Sequence, residues 1–195
     1  MPRLMMIAGP NGAGKTTTAN AFLSQQKNLY DEFLNADHIA KGLSPLNPES
    51  VNRQAGELMI QRFHACLKSN LNFVFETTAS GLTYGTHLKR AKNHGYSINL
   101  MYLWLWGPEQ AIKRVAQRVK QGGHNIPEED IKRRYFRGLK NLVNLYLPLA
   151  DTALILDNSS AESGIRKIVA RKEPNLQVQI EDQEIWEKIQ ELANG

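Results

Sequence analysis

Cys66 is the only cysteine in 195 residues, so an internal disulfide cannot form and a disulfide-stapled fold is excluded. His38, His64, His87, His94 and His124 are scattered, with none of the paired Cys or His spacings that hold zinc. Long apolar runs are missing as well. The stretch from Ile98 to Trp106 has nine residues, is interrupted by Asn99, and falls far short of the roughly 20 needed to cross a bilayer. Met1 to Ala8 lacks the basic region, longer apolar segment and small-residue cleavage site of a secretory signal. A cytoplasmic protein without a membrane span is the expectation. Repeats, low-complexity segments and a recognisable interdomain linker are lacking too.

What is present has the composition of a single folded domain over residues 1–195, with 42% hydrophobic and 22% charged residues. The net charge of +5 favours anionic partners without choosing among them. Its distribution is more informative. Residues 113–140 hold nine Lys and Arg against three acidic residues, a local +6, while 1–112 carry +3 and 141–195 carry −4.

The chain opens with the apolar run Arg3 to Ala8, stops at Gly9, and continues into a helix-compatible stretch from Lys15 to about Gln26. Further strands are predicted at Glu32–Asn35, Asn72–Phe75, Ser97–Trp106 and Thr152–Leu156. Tyr102, Trp104 and Trp106, alternating with Leu103 and Leu105, read as a strand buried on both faces. Apolar residues from Val51 to Leu67 recur at helical spacing between Pro48 and Ser69, and helices are also expected over Pro108–Lys120 and Pro127–Tyr146. After Ser160 come another helix candidate, an extended stretch near Leu176–Ile180 and a final amphipathic helix over Asp182–Leu192. Alternating strands and helices indicate an α/β fold with a mainly parallel sheet and helices on both faces.

Gly9-Pro10-Asn11-Gly12-Ala13-Gly14-Lys15-Thr16 matches G-x-x-x-x-G-K-[ST] in the strand-to-helix setting that this P-loop needs. Its glycines let the backbone wrap phosphate oxygens, and the helix start supplies amide donors and a partial positive charge. Lys15 would reach the β and γ phosphates of ATP, Thr16 would place a hydroxyl on Mg²⁺, and Thr17 extends the nucleotide-binding segment. The guanine-reading Asn/Thr-Lys-x-Asp element and an Asp-x-x-Gly switch are missing, which argues against a GTPase. The Leu-Ser-Gly-Gly-Gln signature of ABC-type ATPases is missing too. A small phosphotransferase or a regulatory ATPase remains.

Ligands of open parallel sheets gather at the carboxyl ends of the strands, which draws attention to carboxylates there. Asp37 follows the second strand and reads either as a helix cap or as the base that takes a proton from an acceptor hydroxyl. Glu76 ends an apolar strand just before Thr77 and Thr78; it suits substrate orientation or a Mg²⁺ contact, with the two hydroxyls on substrate. Asp157 precedes Asn158-Ser159-Ser160 and reads as an ordinary strand-ending turn. The basic segment, two helices joined by Gln121 to Pro127, has the form of a lid over about residues 113–140. Arginines there could close on a transferring phosphate, with Arg118 before the loop and Arg133 or Arg134 after it. Most of these charges, and the loop residue His124, read as solvated.

These segments together resemble the zeta-toxin-like family of small P-loop kinases. The resemblance rests on Gly9 to Thr16, Asn35-Ala36-Asp37, Phe75-Glu76-Thr77-Thr78, Gly122 to Pro127, Arg133-Arg134-Tyr135 and Leu156 to Ser159. It implies a P-loop NTPase sandwich with a five-stranded parallel core in the order 2-3-1-4-5, and an ATP- and Mg²⁺-dependent kinase. In the family's toxins the acceptor is a hydroxyl of UDP-N-acetylglucosamine. Carried onto this chain, Lys15 and Thr16 serve phosphate and Mg²⁺, Asp37 the acceptor hydroxyl, Glu76 substrate or metal, and Arg118 with Arg134 the transferring phosphoryl group. The expected partner is a small hydroxylated acceptor, and a UDP-amino-sugar is one such molecule. A nucleic-acid-end kinase, a nucleic-acid-dependent ATPase and a non-catalytic ATP-binding regulator are the alternatives, although confinement of the charge to one segment argues against a nucleic-acid coat. An antitoxin-like protein inhibitor is compatible with the resemblance but has no sequence signature. The extension over about 161–195 has no assigned chemistry.

Overall fold

The computed structural model describes residues 1–26, 28–123, 125–160 and 166–195. The expectations for His124, and for the start of a helix after Ser160, fall on residues outside these ranges. The chain runs β1 (Arg3–Ala8), α1 (Lys15–Gln25), β2 (Glu32–Leu34), α2 (Ala36–Leu43), a 3₁₀ turn (Pro48–Val51) and α3 (Asn52–Lys68). It continues with β3 (Phe73–Thr77), α4 (Thr83–Asn93), β4 (Ser97–Trp104), α5 (Pro108–Lys120) and α6 (Glu128–Asn141), which passes through a π turn (Leu142–Tyr146) into α7 (Leu147–Leu149). The last elements are β5 (Thr152–Asp157), β6 (Lys167–Lys172), β7 (Gln179–Ile180) and α8 (Gln183–Asn194).

The sheet order is β2-β3-β1-β4-β5-β6-β7. Its first five strands are parallel and have the order expected from the resemblance. The sheet is larger than that expectation, because β6 and β7 add antiparallel pairs at the β5 edge. Lys167–Lys172 is therefore a strand where a helix was expected. Its short Ile168-Val169-Ala170 centre gives little helical periodicity, and pairing with β5 supplies a ladder that no local pattern announces.

Strand ends differ from expectation in two places that matter to the site. β3 runs on through Thr77, so Glu76 and Thr77 belong to the strand and are held in register opposite Ile7 and Ala8. β4 stops at Trp104, and Trp106 is 47% exposed instead of buried in a strand. Helix α3 begins only after the 3₁₀ turn that Pro48 opens. In the Leu176–Ile180 stretch only Gln179 and Ile180 pair.

The core forms on both sheet faces. Leu4, Met6, Phe73 and Phe75 pack with Met59 and Phe63 of α3, and Tyr102 and Leu103 join Ala111, Tyr135 and Leu139 of the basic segment. The basic segment is thus anchored through its apolar faces, consistent with helices that cover a buried parallel sheet. Tyr135 donates its hydroxyl to Leu105 O at 2.6 Å, and Asn141 Nδ2 donates to Ala79 O at 2.8 Å. Helix α8 is capped by Asp182, buries Trp186 and Ile189, and packs against α6, so the C-terminal extension braces the helix that carries Arg134. Among the described residues, no helix is long and apolar enough to cross a membrane.

Candidate active site

The turn after β1 is built from backbone. Gly9 has φ 146°, and a Cβ there would lie 2.4 Å from Leu103 O, so a side chain would drive β1 away from β4. Gly14 starts α1 at φ 79°, a left-handed conformation that brings no capping side chain, and the first turn of α1 contains no acidic residue. The amides of that turn are therefore left to face an anion, where the helix dipole favours negative charge. Asn158 locks the turn from behind. Its Nδ2 donates to Ala13 O at 2.7 Å, while its own amide donates to Trp104 O. Arg114 donates to the carbonyls of Asn158 and Ser159 at 2.9 and 2.8 Å, fixing the loop after β5.

A cleft of about 590 Å³ opens beside this turn at the carboxyl ends of the parallel strands. Its walls include Asn11, Gly12, Gly14, Lys15, Thr16 and Thr17, while Gly9, Pro10 and Ala13 stand behind the surface as the scaffold of the turn. Asp37, Glu76, Thr77, Thr78, Arg118 and Arg134 line the same cleft. Residues read from well-separated segments are thereby brought together.

Lys15 is buried, and its Nζ donates to Pro10 O at 2.9 Å. Burial pushes its ammonium below the ordinary lysine range; Glu76 and Asp37 oppose the shift, and Arg118 and Arg134 add to it. A triphosphate in the cleft would oppose it further and hold Lys15 charged. Thr16 Oγ1 lies 2.9 and 3.1 Å from the two Glu76 oxygens, and Asn35 Nδ2 donates to Glu76 Oε2 at 2.8 Å. Glu76 therefore links the P-loop to the end of β2, and a hydroxyl beside a carboxylate is an oxygen pair suited to Mg²⁺, which is commonly held by few protein oxygens together with substrate phosphates.

Asn35 caps α2: its Oδ1 accepts from Asp37 N at 2.8 Å and His38 N at 3.1 Å. The cap reading of Asp37 is corrected by this geometry, since Asp37 sits inside the first turn with its carboxylate exposed at the cleft. Asp157 is the last residue of β5 and accepts from Ser159 N at 2.8 Å, which closes the turn that ends the strand. The adjacent arginines of α6 both reach Asp130, Arg134 at 4.0 Å, but differ in their relation to the cleft. Arg133 pairs with Asp130 at 2.7 Å with its side chain 56% exposed and does not line the cleft, whereas Arg134 does.

Several wall residues carry no sequence signature. Met59 follows the helical core spacing of α3, and Glu49 and Asn52 lie in a segment to which no site role is assigned from the sequence. Tyr84, which donates to Met59 Sδ at 3.3 Å, lines the cleft together with Glu49 and Asn52. Burial pushes the Tyr84 hydroxyl up to about 12, and its one proton is directed at Met59 Sδ.

The sequence profile described as Zeta toxin matches residues 1–163. A protein of Haemophilus influenzae, described as uncharacterized, is 33% identical over 133 residues, which cover 68% of this chain and 92% of that protein. Among solved structures, AvrRxo1-ORF1:AvrRxo1-ORF2 with sulphate ions matches at TM-score 0.75 and 19% identity, over 97% of this chain and 63% of the matched one. The same pair solved with ATP matches at TM-score 0.74 and 20% identity. A chain of the PezAT chromosomal toxin–antitoxin system of Streptococcus pneumoniae matches at TM-score 0.66 and 16% identity, over 100% of this chain and 79% of that one. These likenesses show the P-loop kinase fold; this chain spans less than two thirds of the AvrRxo1 chain it resembles.

Proposed function

The chain belongs to the zeta toxin family, and from that premise we propose that it is an ATP-dependent kinase that moves the γ-phosphoryl group to a hydroxyl of a small acceptor. The observation that carries the reading is one cleft in which the hydrogen-bonded pair Thr16 and Glu76 stands with Lys15, Asp37, Arg118 and Arg134. Glycine-rich turn and α1 amides would hold the phosphates, and Lys15 would meet their charge. Thr16 and Glu76 would hold Mg²⁺, which when bound neutralises phosphate charge. The acceptor oxygen forms the new bond to the γ phosphorus as the bond to the β,γ-bridging oxygen breaks and ADP leaves. Asp37 takes the hydroxyl proton, and Arg118 and Arg134 meet charge on the transferring group.

A UDP-amino-sugar is the acceptor that likeness to the family's toxins implies. An inhibitory protein partner is supported only by the toxin–antitoxin origin of one structural neighbour. Incubation with Mg-ATP and a panel of sugars, nucleotide sugars, nucleosides and RNA ends, read by mass spectrometry, tests the reading. Gain of one phosphate by a small hydroxylated acceptor, abolished by Lys15→Ala, is the expected result. Phosphorylation of RNA ends alone would replace it with the nucleic-acid reading.

A further inference from the structure

Asn35 stands where two functional segments meet. β2 and β3 are parallel with Leu34 beside Phe75, so the next residues, Asn35 and Glu76, fall side by side where β2 ends. Asn35 keeps an extended backbone, φ −140° and ψ 119°, while its carbonyl accepts from Ile39 N at 3.1 Å, which makes it the N-cap of α2. It is 4% exposed, and both ends of its side-chain amide are engaged. Oδ1 accepts from Asp37 N at 2.8 Å and His38 N at 3.1 Å, and Nδ2 donates to Glu76 Oε2 at 2.8 Å. The amide can face only this way: reversed, its NH2 would meet two N–H donors and its oxygen a carboxylate.

Capping α2 needs only an acceptor, which serine or aspartate would supply about as well. The contact with Glu76 needs a donor. Serine is too short to cap α2 and reach Glu76 at once, and aspartate would set a second carboxylate against the first. Position 35 therefore answers to Glu76 as well as to the helix. Glu76 is held in addition by Thr16, whose Oγ1 lies 2.9 and 3.1 Å from its two oxygens, so β2 and α1 fix one carboxylate together. The first turn of α2, tied to Asn35 through two amides, carries Asp37 into the same cleft. One buried side chain thus sets the carboxylate beside Thr16 against the carboxylate read as the base.

Resting on the kinase reading above, we infer that Asn35 is a positioning residue for phosphoryl transfer, aligning Glu76 with Thr16 through its Nδ2 and Asp37 with the cleft through its Oδ1. Partners that orient a carboxylate at a metal site are commonly worth on the order of 10-fold to 100-fold in metal affinity or activity.

The test separates the two ends of the amide. Asn35→Ser keeps a cap for α2 and loses the donor to Glu76, Asn35→Thr repeats this with a second cap former, and Asn35→Ala loses both contacts. Each full-length chain is compared with the unsubstituted one in melting temperature without ligand, in ATP affinity by calorimetry with EDTA and with Mg²⁺, and in single-turnover transfer to the best acceptor found. Asn35→Ser and Asn35→Thr are expected to melt close to the unsubstituted chain and to keep metal-free ATP affinity within about twofold. They should lose roughly tenfold of the affinity gained on adding Mg²⁺ and transfer phosphate roughly tenfold or more slowly. Asn35→Ala should show the same losses together with a lower melting temperature. An unchanged Mg²⁺ gain and an unchanged transfer rate in the serine and threonine variants would reduce Asn35 to a helix cap and overturn the inference, with the kinase reading intact. A parallel fall in melting temperature and metal-free ATP affinity would make its role structural only and overturn the inference as well. ATP binding by the unsubstituted chain without transfer to any acceptor would overturn the kinase reading, and this inference with it.

Discussion

The two walls of the cleft are built in different ways. The proposed phosphate wall comes mostly from one continuous stretch, Gly9 to Thr17, built from positive-φ glycines and uncapped helix amides around one buried lysine. Much of the rest of the cleft is assembled from side chains on β2–α2, the 3₁₀ turn, α3, β3 and α4, with Asn35 hydrogen-bonded to Glu76. A site made from backbone is inherited with the turn, whereas a site made from separated side chains can change one substitution at a time. This contrast explains why nucleotide use can be shared across a family while acceptors diverge.

The contrast breaks most sharply at Lys15. Lys15→Ala should lower kcat/KM by about 10³ or more, because it removes the only buried cation of the turn among the described residues. Retained turnover in that variant would remove the phosphate wall from the account. Asp37→Asn should leave ATP affinity within about twofold and lower kcat by roughly 10², the scale of general-base loss. Arg134→Ala should reduce kcat by roughly 10-fold to 100-fold, and Arg133→Ala by less than about twofold, since Arg134 lines the cleft and Arg133 does not. Equal losses in the two arginine variants, measured by steady-state kinetics, would erase the assignment between them.

A smaller effect is expected far from the chemistry. His64 and His87 meet edge to face with ring centroids 4.8 Å apart, packed against Phe63. Burial holds both below the ordinary histidine range; Arg90 and His94 add to the shift at His64, and His64 and Arg90 at His87. The folded chain resists protons that the unfolded chain accepts near pH 6.5, so stability should decline as pH falls through that range and level off below the lowered native values. Thermal melts from pH 7.5 to 5.5 should show a falling Tm, and His64→Asn should flatten the slope. A slope unchanged by that substitution would remove His64 from the effect.

Much of this was legible in the sequence, and the gaps have physical causes. The P-loop and the parallel strand order follow from local pattern and resemblance, because a glycine turn between an apolar strand and a helix leaves few alternatives. The capping role of Asn35 was hidden because Asn35 and Asp37 are both good cap formers two residues apart, and only the hydrogen bonds to Asp37 N and His38 N separate them. The bracing roles of Asn158 and Arg114 were not readable because their partners are the backbone carbonyls Ala13 O, Asn158 O and Ser159 O, which leave no residue-type signature. β6 was missed because its stability comes from pairing with β5, a non-local contact, and not from its own six residues.

The division of labour between the walls is tested most directly by measuring, on one preparation of Asp37→Asn, both the affinity for Mg-ATP and the single-turnover rate of phosphoryl transfer to the best acceptor found. The account predicts ATP affinity within about twofold of the unsubstituted chain and transfer slower by roughly 10². Transfer at the unsubstituted rate, or a parallel collapse of ATP affinity, would contradict it.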